Sequence, residues 1–325
     1  MMTRHGPVVI TGVNGLIGSA LAARLVREGI SVRGLDLAPA TRVPGVAYHR
    51  GDLAAPDGWP PAFTDAPVVF HCARWTGSPR SWRALRAAEI TATRNMFEAS
   101  LRAGVGRVVH LSSIAVYGPT RRPVISEDTP LWPVGGYAWS KVQGEQLAAA
   151  AQRRGLAVVI IRPGLVYGPA AFGGTVNPVR LLLGGTPVLA DGGGGLANPI
   201  YIENLVDLLL VAGASGPAAG RAFNVADEDI PWRDFFGYYA RMCGRPLRSA
   251  PAAGFWLFGL GAEILGIMTR RPPLTERTLA RVLTRRSRYS TAAARMLLGW
   301  SPARTMAEAM GETERWLRTS GMIPR

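Results

Sequence analysis

Short β-branched runs alternate with stretches of helical periodicity over the first 170 residues of this chain. The runs are PVVITG (7–12), SVRGLDL (31–37), VVFHCA (68–73), RVVHLSS (107–113) and AVVIIRPG (157–164). Such short runs, alternating with helical patterns, predict the strands of a parallel sheet covered by helices. Between them lie LIGSALAARLVREG, SWRALRAAEITATRNMFEASLRAG and YAWSKVQGEQLAAAAQRRG, each closing on a glycine suited to a helix C-terminus. After about residue 170 the pattern breaks into glycine- and proline-rich pieces such as GGTPVL and DGGGGLANP. The expectation is an α/β chain with its nucleotide-type sheet in 1–170, to which 197–225 returns. A smaller lobe then occupies most of 171–325, with a soft boundary and no linker.

TGVNGLIG places Thr11, Gly12, Gly15 and Gly18 between the first strand and the first helix. In that setting Gly12 and Gly15 allow a tight turn and close approach of a pyrophosphate to backbone amides. Gly18 lets the helix pack on the sheet, and the helix N-terminus favours the phosphate charge. Asp36 ends the next strand at the distance expected for an acid that accepts hydrogen bonds from both adenosine ribose hydroxyls. The pattern predicts a Rossmann-type doubly wound sheet binding a pyridine dinucleotide through Gly12, Gly15, Leu16, Ile17, Gly18 and Asp36. Asp36 would repel a 2′-phosphate, and Leu37 and Ala38 follow it, so NAD is favoured over NADP. Arg33 and Arg42 keep NADP open.

Charge changes this picture little. The formal net charge is +15, yet the arginines are scattered, with one dense run at Arg270, Arg271, Arg277, Arg281, Arg285, Arg286 and Arg288. No nucleic-acid recognition motif accompanies it, so nucleic acid is not expected as a partner. The apolar segment 254–268, GFWLFGLGAEILGIM, is too short to span a bilayer. It reads as a core helix or a lid over an apolar pocket, or as part of a peripheral membrane contact through 254–288. Cys72 and Cys243 cannot form a metal cluster alone, and no metal is expected. Their apolar settings, and an N-terminus that runs almost directly into a strand, point to a reducing cytoplasm.

Lys141 is the only lysine; every other basic residue among the 37 Lys+Arg is arginine. It stands four residues after Tyr137 at the start of a predicted helix, which puts both on one face. Tyrosine is a poor base at neutral pH, and an adjacent ammonium favours its phenolate. A compact cation with three donors can also hold ribose hydroxyls, a task for which arginine's rigid fork is ill suited. LSSIAVYG follows the fourth strand and brings Ser112, Ser113 and Tyr117 to the same edge. A serine hydroxyl there can hold a substrate oxygen while Tyr137 moves the proton.

With these motifs the chain resembles the extended short-chain dehydrogenase/reductase superfamily, also described as the NAD-dependent epimerase/dehydratase family. The resemblance covers nearly the full length: TGxxGxxG, GDL (51–53), HCAR (71–74), SSIAVYG, YxxSK, RPGLVYGP (162–169), FNVAD (223–227) and LGWSP (298–302). It implies that Ser113, Tyr137 and Lys141 are catalytic. It also implies that Asp52 and Leu53 flank the adenine, that Ala73 lines the cofactor, and that the backbone of Pro163 and Val166 holds the nicotinamide amide. Helices at 81–103 and 137–154 would pair across a twofold axis in a homodimer.

Two departures bear on the substrate. Nucleotide-sugar members usually carry asparagine where this chain has Leu165, and another where Glu89 aligns. The C-terminal third, with PPLTERTLARVL and RYSTAAARMLLGWSP, looks like the 3β-hydroxysteroid dehydrogenase branch. The resulting expectation is hydride transfer between nicotinamide and a secondary alcohol or ketone on an apolar substrate. The alternatives are a nucleotide-sugar 4-epimerase or dehydratase, and a non-catalytic NAD-binding regulator.

Overall fold

The structure, a computed structural model, describes residues 6–55, 58–74, 87–120, 122–269 and 278–324. Seven strands form the central sheet: β1 (Val8–Thr11), β2 (Val32–Asp36), β3 (Ala47–Arg50), β4 (Val68–His71), β5 (Arg107–Leu111), β7 (Val158–Pro163) and β11 (Ala222–Val225). They lie in the order β3-β2-β1-β4-β5-β7-β11, and every neighbouring pair is parallel. The five predicted runs are strands within the expected stretches, each a little shorter. Sequence periodicity missed β3, which forms one edge of the sheet and whose AYHR is half polar.

Helices cover both faces, which is why the central strands are buried almost without break. On one face lie α1 (Leu16–Arg27) and, later in the chain, α5 (Ile202–Ala214), packed on Val8, Ile10, Val109 and Ile161. On the other lie α2 (Ala92–Arg102) and α3 (Gly136–Arg153), packed on Val9, Val69, Val108 and Ile160. The predicted glycine stops are present: Gly29, Gly104 and Gly155 follow α1, α2 and α3 with positive φ, where a side chain would be strained. A π-turn, Ala87–Thr91, leads into α2, and residues 81–86 of the predicted helix lie outside the described residues. The helices expected at a twofold interface pack side by side in this chain, and a twofold partner is not part of the structure.

The remaining strands form two-stranded parallel pairs, β6 (Val124–Ile125) with β13 (Arg288–Tyr289), β8 (Leu165–Tyr167) with β10 (Pro199–Tyr201), and β9 (Leu189–Ala190) with β12 (Ser249–Ala250). With α4 (Asn177–Leu183), α6 (Trp232–Cys243), α7 (Ala252–Thr269), α8 (Thr278–Thr284), α9 (Ala292–Leu298) and α10 (Met306–Thr319) they complete the chain. A second core, built on Tyr167, Tyr201, Trp232, Phe235, Phe236 and Tyr239, holds α4, α6 and α10 together beyond the sheet. β11 returns the chain from this region to the edge of the main sheet. No helix among the described residues is long and apolar enough to cross a membrane.

Candidate active site

The strand order reverses between β1 and β4, and the C-terminal strand ends part there to leave a crevice. Its lining includes Gly12, Asp36, Asp52, Leu53, Ala73 and Lys141, all singled out in the sequence. Gly12 has φ +69°, and a Cβ on it would stand 2.6 Å from the Ala73 Cα. A Cβ on Gly18 would stand 2.2 Å from the Gly12 carbonyl oxygen. The turn and the first helical residues are therefore backbone against backbone. α1 starts after Gly15 with no side-chain cap and no acid in its first turn. The amides that follow Gly15, through Leu16 and Ile17 to Gly18, face the crevice end of the helix without a competing carboxylate. This is a cradle that fits a pyrophosphate.

Asp36 holds the outer end of the crevice. Its Oδ2 accepts from the Asn14 amide at 3.0 Å, and its Oδ1 accepts from the Ala38 amide at 3.2 Å. Asn14 in turn bridges to the Ala40 carbonyl and the Arg42 amide, which fixes the loop after β2. Arg33 donates to the carbonyls of Ala62 and Thr64, so its charge is engaged away from the acid. Asp52 Oδ1 accepts from the Ala54 amide at 2.8 Å and pins the turn after β3. A carboxylate acceptor of this kind fits a ribose diol, and the Arg33 guanidinium is already engaged by carbonyls.

At the other end, Tyr137 lies in the first turn of α3 and Lys141 one turn later. The Lys141 ammonium is buried, donates to the Leu111 carbonyl at 3.3 Å, and lies 5.8 Å from the Tyr137 ring centroid. Ser113 follows β5 directly. Its Oγ accepts from the Ala115 amide at 3.1 Å and caps a short 3₁₀ turn, Ile114–Tyr117. Pro163 closes β7, and Val166 of β8 pairs with Ile200 of β10 in the separate two-stranded sheet that follows. Ser113, Tyr137, Pro163 and Val166 are not among the residues that line the cavity with Lys141.

Ser112 has a different task. Its hydroxyl donates to Glu145 Oε1 at 2.5 Å, and Arg162 grips the same carboxylate with Nε at 2.9 Å and Nη2 at 2.6 Å. Arg162 Nη1 also donates to the Tyr117 hydroxyl, which donates to Asn224 Oδ1 at 2.7 Å. Burial alone would lower the Arg162 pKa, but the hydrogen bond and charge of Glu145 raise it overall. This buried network clamps β5, β7, β11 and α3 together directly behind Ser113 and Lys141. It commits Ser112 to structure and leaves Ser113 as the serine whose Oγ donates to no group of the protein among the described residues.

Three features of the site were not read from the sequence. The Arg74 guanidinium lies 4.7 Å from the Tyr137 ring centroid, over its face, and Arg74 also lines the crevice. The HCAR motif contained the signal, because arginine there is a charge at a strand end. His71 and His110 stack at 5.3 Å beneath Lys141, and His71 bonds Thr11 Oγ1 at 2.7 Å. Burial, and then the Lys141 charge, push His71 down to about 3 and His110 also down. Glu145, four residues after Lys141, could have been found from its place on the same helix face. Glu89 lines the crevice. Cys72, beside it, is held up to about 12 chiefly by burial. Among the described residues no group of three or more His, Cys, Asp or Glu is placed to hold a metal ion.

Known proteins resemble this chain. The model of the NAD dependent epimerase/dehydratase family matches residues 8–226. The 2-alkyl-3-oxoalkanoate reductase of Stenotrophomonas maltophilia is 29% identical over 320 residues, covering 93% of this chain and 97% of that protein. The UDP-glucose 4-epimerase of Vibrio cholerae is 26% identical over 318 residues, covering 94% of each. Among solved structures, MoeE5 in complex with UDP-glucuronic acid and NAD superimposes with a TM-score of 0.77 at 25% identity, covering 97% of this chain and 100% of that one.

Proposed function

The chain belongs to the NAD dependent epimerase/dehydratase family and is an NAD-dependent enzyme, and from that premise we propose that it transfers hydride between nicotinamide and a secondary alcohol or ketone on an apolar substrate. The observation that carries the substrate class is residue 165. Leu165 sits half-buried on β8, two residues beyond Pro163, and packs against the Tyr167 and Tyr201 cluster. A side chain with no hydrogen-bonding group there leaves the polar atoms of a sugar unmatched, whereas it suits an alkyl chain. The 2-alkyl-3-oxoalkanoate reductase, a relative named for an alkyl ketone acid, agrees with this choice.

When bound, NAD supplies the acceptor for the substrate's carbinol hydride. The protein's part is to move one proton and to hold one oxygen. Tyr137 takes the hydroxyl proton through its phenolic oxygen, or returns it to the ketone oxygen in the reverse direction. Lys141 holds the nicotinamide ribose. Its ammonium is kept in place by the Leu111 carbonyl. Ser113 orients the substrate oxygen from the end of β5. Arg74 lies over the phenol face and places a second positive charge beside Tyr137.

Tyr137→Phe should lower turnover by about 100-fold or more while NAD still quenches protein fluorescence. Undiminished turnover rejects the assignment. Substrate class is read by titration. Long-chain hydroxy acids, sterols and alkyl ketones should change NADH absorbance, and UDP- and TDP-sugars should not bind tightly. Saturable tight binding of a sugar nucleotide would instead make the enzyme an epimerase or dehydratase. Binding of NAD without turnover of either class would make it a regulator.

A further inference from the structure

A second cavity, of about 600 Å³, shares no lining residue with the crevice and lies between the loop after Gly118 and the end of α8. Arg122, Arg281, Arg285 and Arg286 line it together with Thr120, Thr284 and Ser287, and no acidic side chain does. Arg285 is anchored, donating to the Gly118 carbonyl at 3.2 Å and lying over the Tyr289 ring, and its Nε is buried without a partner. The guanidinium groups of Arg122, Arg281 and Arg286 meet no carboxylate among the described residues. Four guanidinium groups around one cavity repel one another, and only an anion brought from outside relieves that.

α8, which carries Arg281, packs along α7. α7 carries one acid, Glu263, in an otherwise largely apolar sequence, and Phe255 packs against the second core. Yet Leu257, Phe258, Ile264 and Met268 remain 51% to 77% exposed. Leu257, Ile264 and Met268 recur at seven and four residues and form one stripe, with Phe258 beside it. A stripe of this kind on a soluble surface marks a contact with another apolar phase. The sequence places Arg270 and Arg271 directly after α7, outside the described residues.

We propose that the α7 stripe and the four-arginine cavity form one docking surface for an anionic bilayer, with the stripe among the acyl chains and the cavity taking a phospholipid phosphate. Charge decides among occupants. A second copy would bring a matching set of arginines and another net charge of +15 to the same seam. Nucleic acid would satisfy the cavity and leave the stripe in water. A bilayer bearing phosphate groups over hydrocarbon meets both demands at once. The inference does not rest on the substrate proposed above.

The test is sedimentation of the full chain with vesicles of phosphatidylcholine, with and without phosphatidylglycerol. Binding should require the anionic lipid and fall as salt rises. Arg281→Ala with Arg286→Ala should lower the partition coefficient about 30-fold, at about five-fold per arginine near the surface. Leu257→Ser with Phe258→Ser should lower it through the stripe instead, and its loss should persist at high salt. Denaturation midpoints and NAD fluorescence titration check that each variant is folded. The proposal is overturned if the parent stays in the supernatant at low salt, or if either double variant partitions like the parent. It is equally overturned if glycerol phosphate or a DNA duplex binds through Arg281 and Arg286 while vesicles do not.

Discussion

At the scale of single residues, the site is decided by what each group is spared from doing. Ser112 is bound to Glu145, so Ser113 keeps a free donor. Arg33 is bound to two carbonyls, while Asp36 lines the crevice with Arg50 as its register partner on β3. Asp36→Ala should therefore weaken NAD by about 10-fold, by removing the charge-assisted bonds to ribose, and should narrow the preference for NAD over NADP. Parallel titrations with the two dinucleotides check it, and an unchanged ratio would mean that Asp36 does not discriminate. The glycine turn, Asp36 and the single lysine were all legible in the sequence, because each needs a residue type that nothing else replaces. The Ser112–Glu145 bond was not, since two residues 33 apart in the chain meet only after folding.

At the scale of elements, α3 does two jobs on one face. Tyr137 and Lys141 point toward the crevice from its first two turns, and Glu145 fastens the next turn to Arg162 of β7. The pair is buried on both sides, so removing one partner leaves an uncompensated charge. Glu145→Ala should cost about 3–5 kcal/mol in urea denaturation. Glu145→Leu combined with Arg162→Met should cost less than that, because no charge is stranded. A single variant as stable as the parent would show that the clamp does not carry the helix. Hydrophobic pattern sufficed to predict α1, α3 and five of the sheet strands. It failed at β3, whose half-polar AYHR resembles a loop, and at β11, whose four residues read as strand only once β7 is seen to need a neighbour.

At the scale of the whole molecule, buried histidines tie stability to acidity. His71 is packed between Thr11 and Thr93, stacked on His110 and near the Lys141 charge, and it stays neutral down to about 3. Below the ordinary value of about 6.5, the unfolded chain binds a proton that the folded chain refuses. Stability contributed by His71 is therefore present above pH 6.5 and is lost as pH falls, by about 2 kcal/mol at pH 5. Asp227, raised by burial to about 7, slopes the opposite way over part of this range, so the measurement is the difference between variants. His71→Gln should flatten the acid limb relative to the parent in denaturation series from pH 8 to 5. Equal slopes would mean that His71 is not the linked group. The second core and the exposed stripe of α7 emerge only at this scale, because 254–268 alone reads equally as interior or surface. The contact between Gly12 and the Ala73 backbone carries a last consequence. Main chain fixes that gap, so exchanging side chains around it cannot widen or narrow it. The turn that would seat a pyrophosphate is thus insulated from changes in the side chains that line the rest of the crevice.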